Sequence, residues 1–270
     1  MLMKEGMKAL TPYQVATIRI MSAGIVMLPF FVKAYRQIPN NKKGYVLISG
    51  AIGSFIPAYL FCLSEIKIDS SLVGMLNAST PLFAVFVGIA FFKMKISRWQ
   101  LAGIIIGFAG MILLLLPKGS FGWHDMGYAM LVLLATFLYS INVNMVHKTL
   151  HEIPSIQIVA FAFPVFLIPC LIILGCTGFF SQIIHTPLHQ FYFSTIAAAT
   201  LGSIGTAFAT IYFYKLLKSA GTVFASMVTY GIPFIAVVWG LVLGEAFSFL
   251  SLLSLLVILS GVALCSKKPV

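Results

Sequence analysis

The chain has 270 residues, of which 60% are hydrophobic and 9% are charged. Soluble globular domains carry about 25% charged residues, so this composition excludes a soluble protein and predicts one that crosses a membrane many times. The formal net charge of +11 does not indicate nucleic-acid binding, because the basic residues are scattered among short links instead of being gathered in one stripe.

Long apolar segments follow one another along the whole chain. Because a helix needs about 20 mainly apolar residues to cross a bilayer, we predict nine spans, at residues 14–32, 45–63, 71–92, 99–116, 126–146, 156–175, 191–213, 220–243 and 246–265. No segment has the alternating pattern of strands with turn signals, and a helix satisfies its own backbone within lipid. The sequence therefore predicts an all-α polytopic membrane protein.

The basic residues of the links indicate the orientation, with twelve on one side of the predicted membrane and four on the other. The twelve are Lys33, Arg36, Lys42, Lys43, Lys93, Lys95, Arg98, Lys148, Lys215, Lys218, Lys267 and Lys268, and the four are Lys4, Lys8, Lys67 and Lys118. Since cytoplasmic loops carry the excess of lysine and arginine, we expect the C-terminus on the inner side of the cytoplasmic membrane.

One proline-bearing segment with a polar centre occurs twice, at residues 69–92 and 221–244. At a fixed offset the matching pairs are Ser70 and Thr222, Met75 and Met227, Asn77 and Thr229, Pro81 and Pro233, Ala84 and Ala236, and Gly88 and Gly240. Each copy is followed by another apolar span. The pattern predicts two repeats, over residues 1–117 and 123–266, with a substrate site between them near the bilayer midplane.

The nine spans divide into four in the first repeat and five in the second. In the second repeat, residues 123–152 supply a full helix before the motif I-P-S-I-Q-I-V-A at 153–160, whereas the matching T-P-Y-Q-V-A at 11–16 follows only ten residues. We therefore expect the first repeat to lack its opening helix. Two explanations are open: the sequence is shortened at its start, or the protein has nine spans. A unit of five helices crosses the membrane an odd number of times, so the repeats are inverted.

These motifs resemble the EamA-type members of the drug/metabolite transporter superfamily. The likeness is carried by T-P-Y-Q-V-A-T-I-R-I-M-S-A at 11–23, by the two copies of the repeated segment, and by the turn L-G-E at 243–245. It covers nearly the whole chain, but the first repeat has F-F-K at 91–93 where the family often has L-G-E. The resemblance implies ten helices in a full-length protein and the transport of small metabolites.

Arg19 is the only charged residue well inside a predicted span. A charge at a helix centre costs roughly 2.5–3.5 kcal/mol on insertion scales, and such residues usually face the bundle interior. Two interpretations are open. Arg19 binds a carboxylate or phosphate of the substrate, or it is a structural cation bonded to carbonyl groups at a helix end.

Polar side chains within the spans form the rest of the candidate substrate site. They are Asn77 and Thr80, Tyr139 and Asn142, and Thr229 and Tyr230. The first two pairs have three-residue spacing, which places both members on one helix face. Such groups either line a wet cavity or form hydrogen bonds between helices. Pro81 and Pro233 each remove one backbone donor, which either kinks the helix or offers a freed carbonyl to the substrate.

The spans carry no sign of catalysis. None of the six acidic residues lies at a span centre, so a buried carboxylate relay is not visible. His147 and His151 have the spacing of metal ligands on a helix, but no third ligand accompanies them. We therefore predict neither a metal nor a cofactor, and not an enzyme.

These observations together favour a secondary transporter of small organic metabolites, amino acids among them, that works by alternating access. The partners we expect are a small-molecule substrate and the lipid bilayer, and the oligomeric state is left open. Two alternatives are an intramembrane enzyme and a membrane scaffold or signalling protein. The duplicated pattern argues against a scaffold, because a duplication of this kind suits a site between two halves.

Overall fold

The computed structural model describes residues 2–94, 97–115, 122–185, 187–227, 235, 238–239 and 249–265. The regular structure of these residues is helical. The helices are α1 (Leu2–Gly6), α2 (Pro12–Gln37), α3 (Asn40–Ser64), α4 (Ser70–Phe92), α5 (Arg98–Leu115), α6 (Met126–Thr149), α7 (Ser155–Cys176), α8 (Phe179–His185), α9 (Leu188–Thr222) and α10 (Phe249–Cys265).

Six helices in the described part of the chain, α2, α3, α4, α6, α7 and α9, are long and apolar enough to cross a membrane. Two more, α5 and α10, have shorter apolar stretches. The prediction of an all-helical polytopic membrane protein is confirmed. The span predicted at 220–243 lies mostly outside the described residues, so the total of nine spans and the inverted topology of the repeats stay predictions.

Two predicted boundaries differ from the structure. The helix predicted to end at residue 213 continues past Lys215 and Lys218, and its backbone leaves helical geometry at Gly221, where φ is 84° and ψ is 169°. Hydropathy marks the edge of an apolar stretch, whereas helical hydrogen bonding continues into the polar region beyond it. The longest predicted link, around 177–190, contains the short helix α8.

The chain forms two compact units, each made of two separate stretches. Unit 1 comprises Met1–Leu63 and Lys148–Lys218, and unit 2 comprises Ser64–His147 and Ser219–Val270. Each of the predicted repeats therefore contributes residues to both units.

Unit 1 is built around α2, which packs against α7 and α9. A capping box fixes the start of α2: the backbone N–H of Gln14 donates to Thr11 Oγ1 at 3.3 Å, and the N–H of Thr11 donates to Gln14 Oε1 at 2.8 Å. Pro12 occupies the first turn, where its missing N–H costs nothing. The Nε2 of Gln14 also donates to the carbonyl of Thr177 at 3.0 Å. The motif T-P-Y-Q thus anchors α2 at one end of the unit.

Unit 2 packs α5 closely against α10. A Cβ atom on Gly261 of α10 would lie 2.4 Å from the backbone nitrogen of Gly107 and 2.6 Å from the carbonyl oxygen of Gly103. Only a residue without a side chain fits there, as at the small-residue contacts of other membrane helices. The ring of Phe83 on α4 contacts Phe108 of α5 and Phe137 of α6, with centroids 5.1 and 6.1 Å apart.

Candidate functional site

Arg19 is the eighth of the 26 residues of α2, and its side chain is partly exposed. Its Nε donates a 2.8 Å hydrogen bond to the hydroxyl oxygen of Thr206 on α9. Thr206 is 3% exposed, and its hydroxyl donates in turn to the carbonyl of Leu201 at 3.2 Å. This chain of hydrogen bonds fixes the inner nitrogen of the guanidinium group and thereby restricts the direction in which its two terminal nitrogens point.

Thr206 belongs to a π-helical segment of α9, Ser203–Phe208. π-Helical turns are rare and often occur at functional sites. Immediately before this segment, a Cβ atom on Gly202 would lie 2.0 Å from the carbonyl oxygen of Arg19 and 2.0 Å from Ser22 Oγ. The bare backbone at Gly202 therefore lets α9 lie directly against α2, which brings Thr206 within reach of Arg19.

The terminal nitrogens of Arg19 decide what this cation can do. Among the described residues, Thr206 is the hydrogen-bond partner of this guanidinium, and the terminal nitrogens donate to no helix-end carbonyl. In this part of the chain the guanidinium therefore bonds to a hydroxyl of a neighbouring helix, and both interpretations of Arg19 stay open. Two terminal N–H groups on one side of a guanidinium match the two oxygens of a carboxylate or phosphate, so the arrangement is suited to bind an anion.

Helix α4 is interrupted at Ala78 and Ser79, between the segments Ser70–Asn77 and Thr80–Phe92. Pro81 has no N–H group, so the carbonyl of Asn77 loses the donor that a regular helix would give it. The hydroxyl of Thr80 replaces that donor with a 2.6 Å hydrogen bond to the Asn77 carbonyl. The freed carbonyl is therefore occupied by the helix itself, and Thr80, at 4% exposed, is used in the same contact.

Two other polar groups at this interruption have capacity for a ligand. The Oδ1 of Asn77 accepts a 3.2 Å hydrogen bond from Thr80, whereas its Nδ2 donates to no neighbour among the described residues. The hydroxyl of Ser79 is fully buried and has no hydrogen-bond partner in this part of the structure. A buried hydroxyl without a partner costs about 1–3 kcal/mol, so a bound polar group would be favourable here.

Sequence reasoning missed a row of polar residues on α6. Thr136, Ser140 and Asn144 are buried and spaced four apart. Ser140 Oγ donates to the carbonyl of Thr80 at 3.2 Å, and Asn144 Nδ2 donates to the carbonyl of Ala84 at 2.9 Å. These two bonds fix α6 against α4. The regular spacing was visible in the sequence and indicates a polar face that docks on another helix.

The predicted pair Tyr139 and Asn142 lies on the same helix as this row. Tyr139 is partly buried, and Asn142 is 3% exposed. Because Ser140 bonds to Thr80, this part of α6 lies beside the interruption of α4 that carries Asn77. Four of the predicted site residues thus belong to unit 2: Asn77, Thr80, Tyr139 and Asn142.

The other predicted site residues are distributed differently. Arg19 belongs to unit 1. Thr229, Tyr230 and Pro233 lie outside the described residues. The site as a whole therefore stays a prediction, and its described parts are the Arg19–Thr206 pair in unit 1 and the interruption of α4 in unit 2.

Comparison with known proteins identifies the family. The model of the EamA-like transporter family matches residues 1–116 and 126–267. The chain belongs to the EamA-like transporter family. The chain is also similar to the uncharacterized transporter YdfC of Bacillus subtilis (strain 168), with 23% identity over 262 residues, which are 96% of this chain and 83% of that protein.

A solved crystal structure has the same fold. The solved chain is 17% identical to this one, and the two superpose with a TM-score of 0.64. The match covers 98% of this chain and 90% of the solved chain. At this identity the likeness shows the fold alone. The resemblance to EamA-type proteins in the sequence motifs is confirmed, and this EamA-like protein is a multi-pass membrane protein of a transporter family.

Proposed function

We propose that this EamA-like protein is a secondary transporter that moves small organic solutes bearing a carboxylate or phosphate across the cytoplasmic membrane. The family supports transport, and the class of substrate rests on Arg19. The observation that carries the proposal is a guanidinium within a spanning helix, held at Nε by Thr206, with terminal nitrogens suited to an anion. Amino acids fit this class because each is a small organic solute with a carboxylate.

Asn77, Tyr139 and Asn142 are proposed to contact the polar or aromatic part of the solute. The Nδ2 of Asn77 offers a donor beside the interruption of α4, and Tyr139 offers a partly buried ring. Ligand sites combine largely apolar walls with a few polar groups that fix orientation. Thr229 and Tyr230 would supply the equivalent groups in the second copy of the repeated segment.

Alternating access is proposed as the mechanism, with the C-terminus on the cytoplasmic side. Two inverted repeats are the usual basis of such a cycle, and the twofold match of the family model to residues 1–116 and 126–267 supports a duplication. Local irregularities of helix geometry support movement. They are the π-helical segments Ala51–Phe55 and Ser203–Phe208 and the interruption of α4, where a helix bends more easily than in a regular stretch.

The test uses purified protein in proteoliposomes and pairs of solutes that differ only in charge. Uptake of radiolabelled leucine, phenylalanine and glutamate is compared with that of the corresponding amides, and the parent is compared with Arg19→Lys and Arg19→Gln. We expect the parent to take up at least one of these amino acids faster than its amide, and we expect Arg19→Gln to lose this preference. Equal uptake of each amino acid and its amide by the parent, or an unchanged preference in Arg19→Gln, would contradict the proposed substrate class. No flux of any solute in a broad metabolite panel would favour the scaffold alternative.

A further inference from the structure

One end of unit 1 concentrates positive charge. The end of α2, the start of α3, the end of α6 with the link that follows it, and the part of α9 around residue 215 together carry seven lysine and arginine residues and one carboxylate, that of Glu152. At the other end of α2, by contrast, Lys8 lies 2.8 Å from the carboxylate of Glu5. The two ends of the unit therefore differ in how far their cations are balanced by nearby carboxylates.

Hydrogen bonds show that these segments meet in space. Lys42 Nζ at the start of α3 donates to the carbonyl of Thr149 at 3.0 Å. Gln157 Nε2 on α7 donates to Gln37 Oε1 at the end of α2 at 2.6 Å. Lys218 Nζ on α9 donates to the carbonyl of Ile153. The link between α6 and α7 is thus bonded to both α3 and α9, and the charged residues form one continuous surface.

Three tyrosines lie next to lysines on this surface. Lys43 Nζ lies 3.7 Å from the ring centroid of Tyr35, a residue that is 51% exposed. The corresponding distances for the two other pairs are 5.9 Å from Lys42 to Tyr45 and 5.5 Å from Lys215 to Tyr212. Exposed tyrosines at the ends of spanning helices lie at the headgroup level of a bilayer. The paired amines are therefore placed at the depth of lipid phosphates.

Several of these cations are open to a ligand. Lys33 and Arg36 are exposed and have no hydrogen bond or ion pair with the described residues. Lys43 donates one hydrogen bond to Asn40 Oδ1 at 2.8 Å and Lys42 one to the Thr149 carbonyl, and a lysine amine has three donors, so each keeps donors for a ligand. We propose that this surface binds the phosphate headgroups of anionic phospholipids, such as phosphatidylglycerol, in preference to zwitterionic ones. A zwitterionic headgroup carries its own ammonium group, which a cationic surface repels, whereas clusters of four or more basic residues beside spanning helices attract anionic lipid.

Native mass spectrometry of the full chain in a neutral detergent tests this proposal. The protein is titrated with dioleoylphosphatidylglycerol or dioleoylphosphatidylcholine, and bound lipid is counted. We expect the anionic lipid to bind at least tenfold more tightly, and this preference to fall roughly tenfold in Lys33→Gln/Arg36→Gln. The matched control, Lys4→Gln/Lys8→Gln, removes the same charge from the other end of unit 1 and should keep the preference.

Each contrary result overturns the proposal. Equal binding of the two lipids by the parent would mean that the surface does not select anionic headgroups, and this comparison needs no variant to fold. An equal loss in both double variants would assign the effect to net charge and not to this surface. Displacement of the lipid by millimolar inorganic phosphate would show a site for free phosphate instead of one for lipid.

Discussion

The hydroxyl of Thr80 donates a 2.6 Å hydrogen bond to the carbonyl of Asn77, the group that Pro81 leaves without its helical donor. A side chain thus replaces the backbone hydrogen bond within the same turn of α4. This relationship explains how a proline is accommodated in the buried half of a spanning helix, where an unpaired carbonyl would be costly.

Replacing Thr80 by valine should destabilise the protein by about 1–3 kcal/mol, because the Asn77 carbonyl would be buried without a donor. Thr80→Ser keeps the hydroxyl and should stay close to the parent. The double variant Thr80→Val/Pro81→Ala restores a backbone N–H, so its loss should be smaller than that of Thr80→Val alone. Thermal unfolding in detergent measures all three. A double variant less stable than Thr80→Val would show that the carbonyl does not limit stability.

Replacing Asn77 by leucine should lower flux several-fold without loss of folded protein, because a hydrogen bond to substrate contributes about 0.5–1.5 kcal/mol net. The matched control is Ser260→Leu in the same unit, since Ser260 is exposed and its hydroxyl donates to the carbonyl of Val257 in its own helix, at 2.8 Å. For both variants we measure flux of a solute that the parent protein transports in the proteoliposome assay. Equal flux in the two variants would show that Asn77 does not contact the substrate.

Thr206→Val should lower flux about two- to tenfold, because Arg19 loses the hydrogen bond that holds its Nε. Ser203→Ala is the control on the same π-helical segment, where the hydroxyl bonds to the carbonyl of Ala199 at 2.9 Å and not to Arg19. The dependence of flux on solute concentration separates affinity from turnover. If Thr206→Val and Ser203→Ala show the same flux, the hydrogen bond that holds Arg19 does not affect transport of the substrate.

Gly261→Ala should destabilise the protein by about 1–3 kcal/mol, since its Cβ would lie 2.4 Å from the backbone of Gly107 and force α5 and α10 apart. Gly127→Ala is the counterpart without crowding, because no atom lies within 4 Å of a Cβ there. It should be neutral or slightly stabilising, as alanine is the better helix former. Unfolding temperatures of equal value would disprove the close contact.

Lys148 should face the cytoplasm and Lys67 the outside, because of the charge bias between the two sides of the predicted membrane. Both residues are exposed. Single cysteines at these positions, in a background without the four native cysteines, are treated with an impermeant thiol reagent on intact cells. Labelling of position 67 alone is expected, and labelling of position 148 alone would reverse the orientation.

The helices could be predicted well because their signal is local. Runs of about 20 apolar residues mark a spanning helix whatever surrounds it, and the six long spans were found in this way. The end of α9 was missed for the same reason. Lys215 and Lys218 interrupt the apolar run, but a lysine with a long apolar stem continues a helix at the membrane surface.

The contacts of the candidate site were less accessible to prediction, because they join distant residues. Arg19 was found as a lone charge, but its partner Thr206 is 187 residues away and depends on a π-helical turn that no local pattern reveals. Asn77 and Thr80 were found as a polar pair. The hydrogen bond from Thr80 to the Asn77 carbonyl could have been predicted, because the sequence shows that Pro81 removes the backbone donor of that carbonyl.

The separation of Arg19 and Thr206 also matters during biosynthesis. Thr206 leaves the ribosome 187 residues after Arg19, which takes about 9–37 s at roughly 5–20 residues per second. During this time α2 carries its cation without the hydroxyl that later holds it. Insertion scales put the cost of such a residue at roughly 2.5–3.5 kcal/mol, so the translocon or neighbouring lipid headgroups must accommodate Arg19 until α9 has been inserted. Variants that remove the hydrogen bond between Thr206 and Arg19 should therefore extend the period in which cellular quality control recognises the chain.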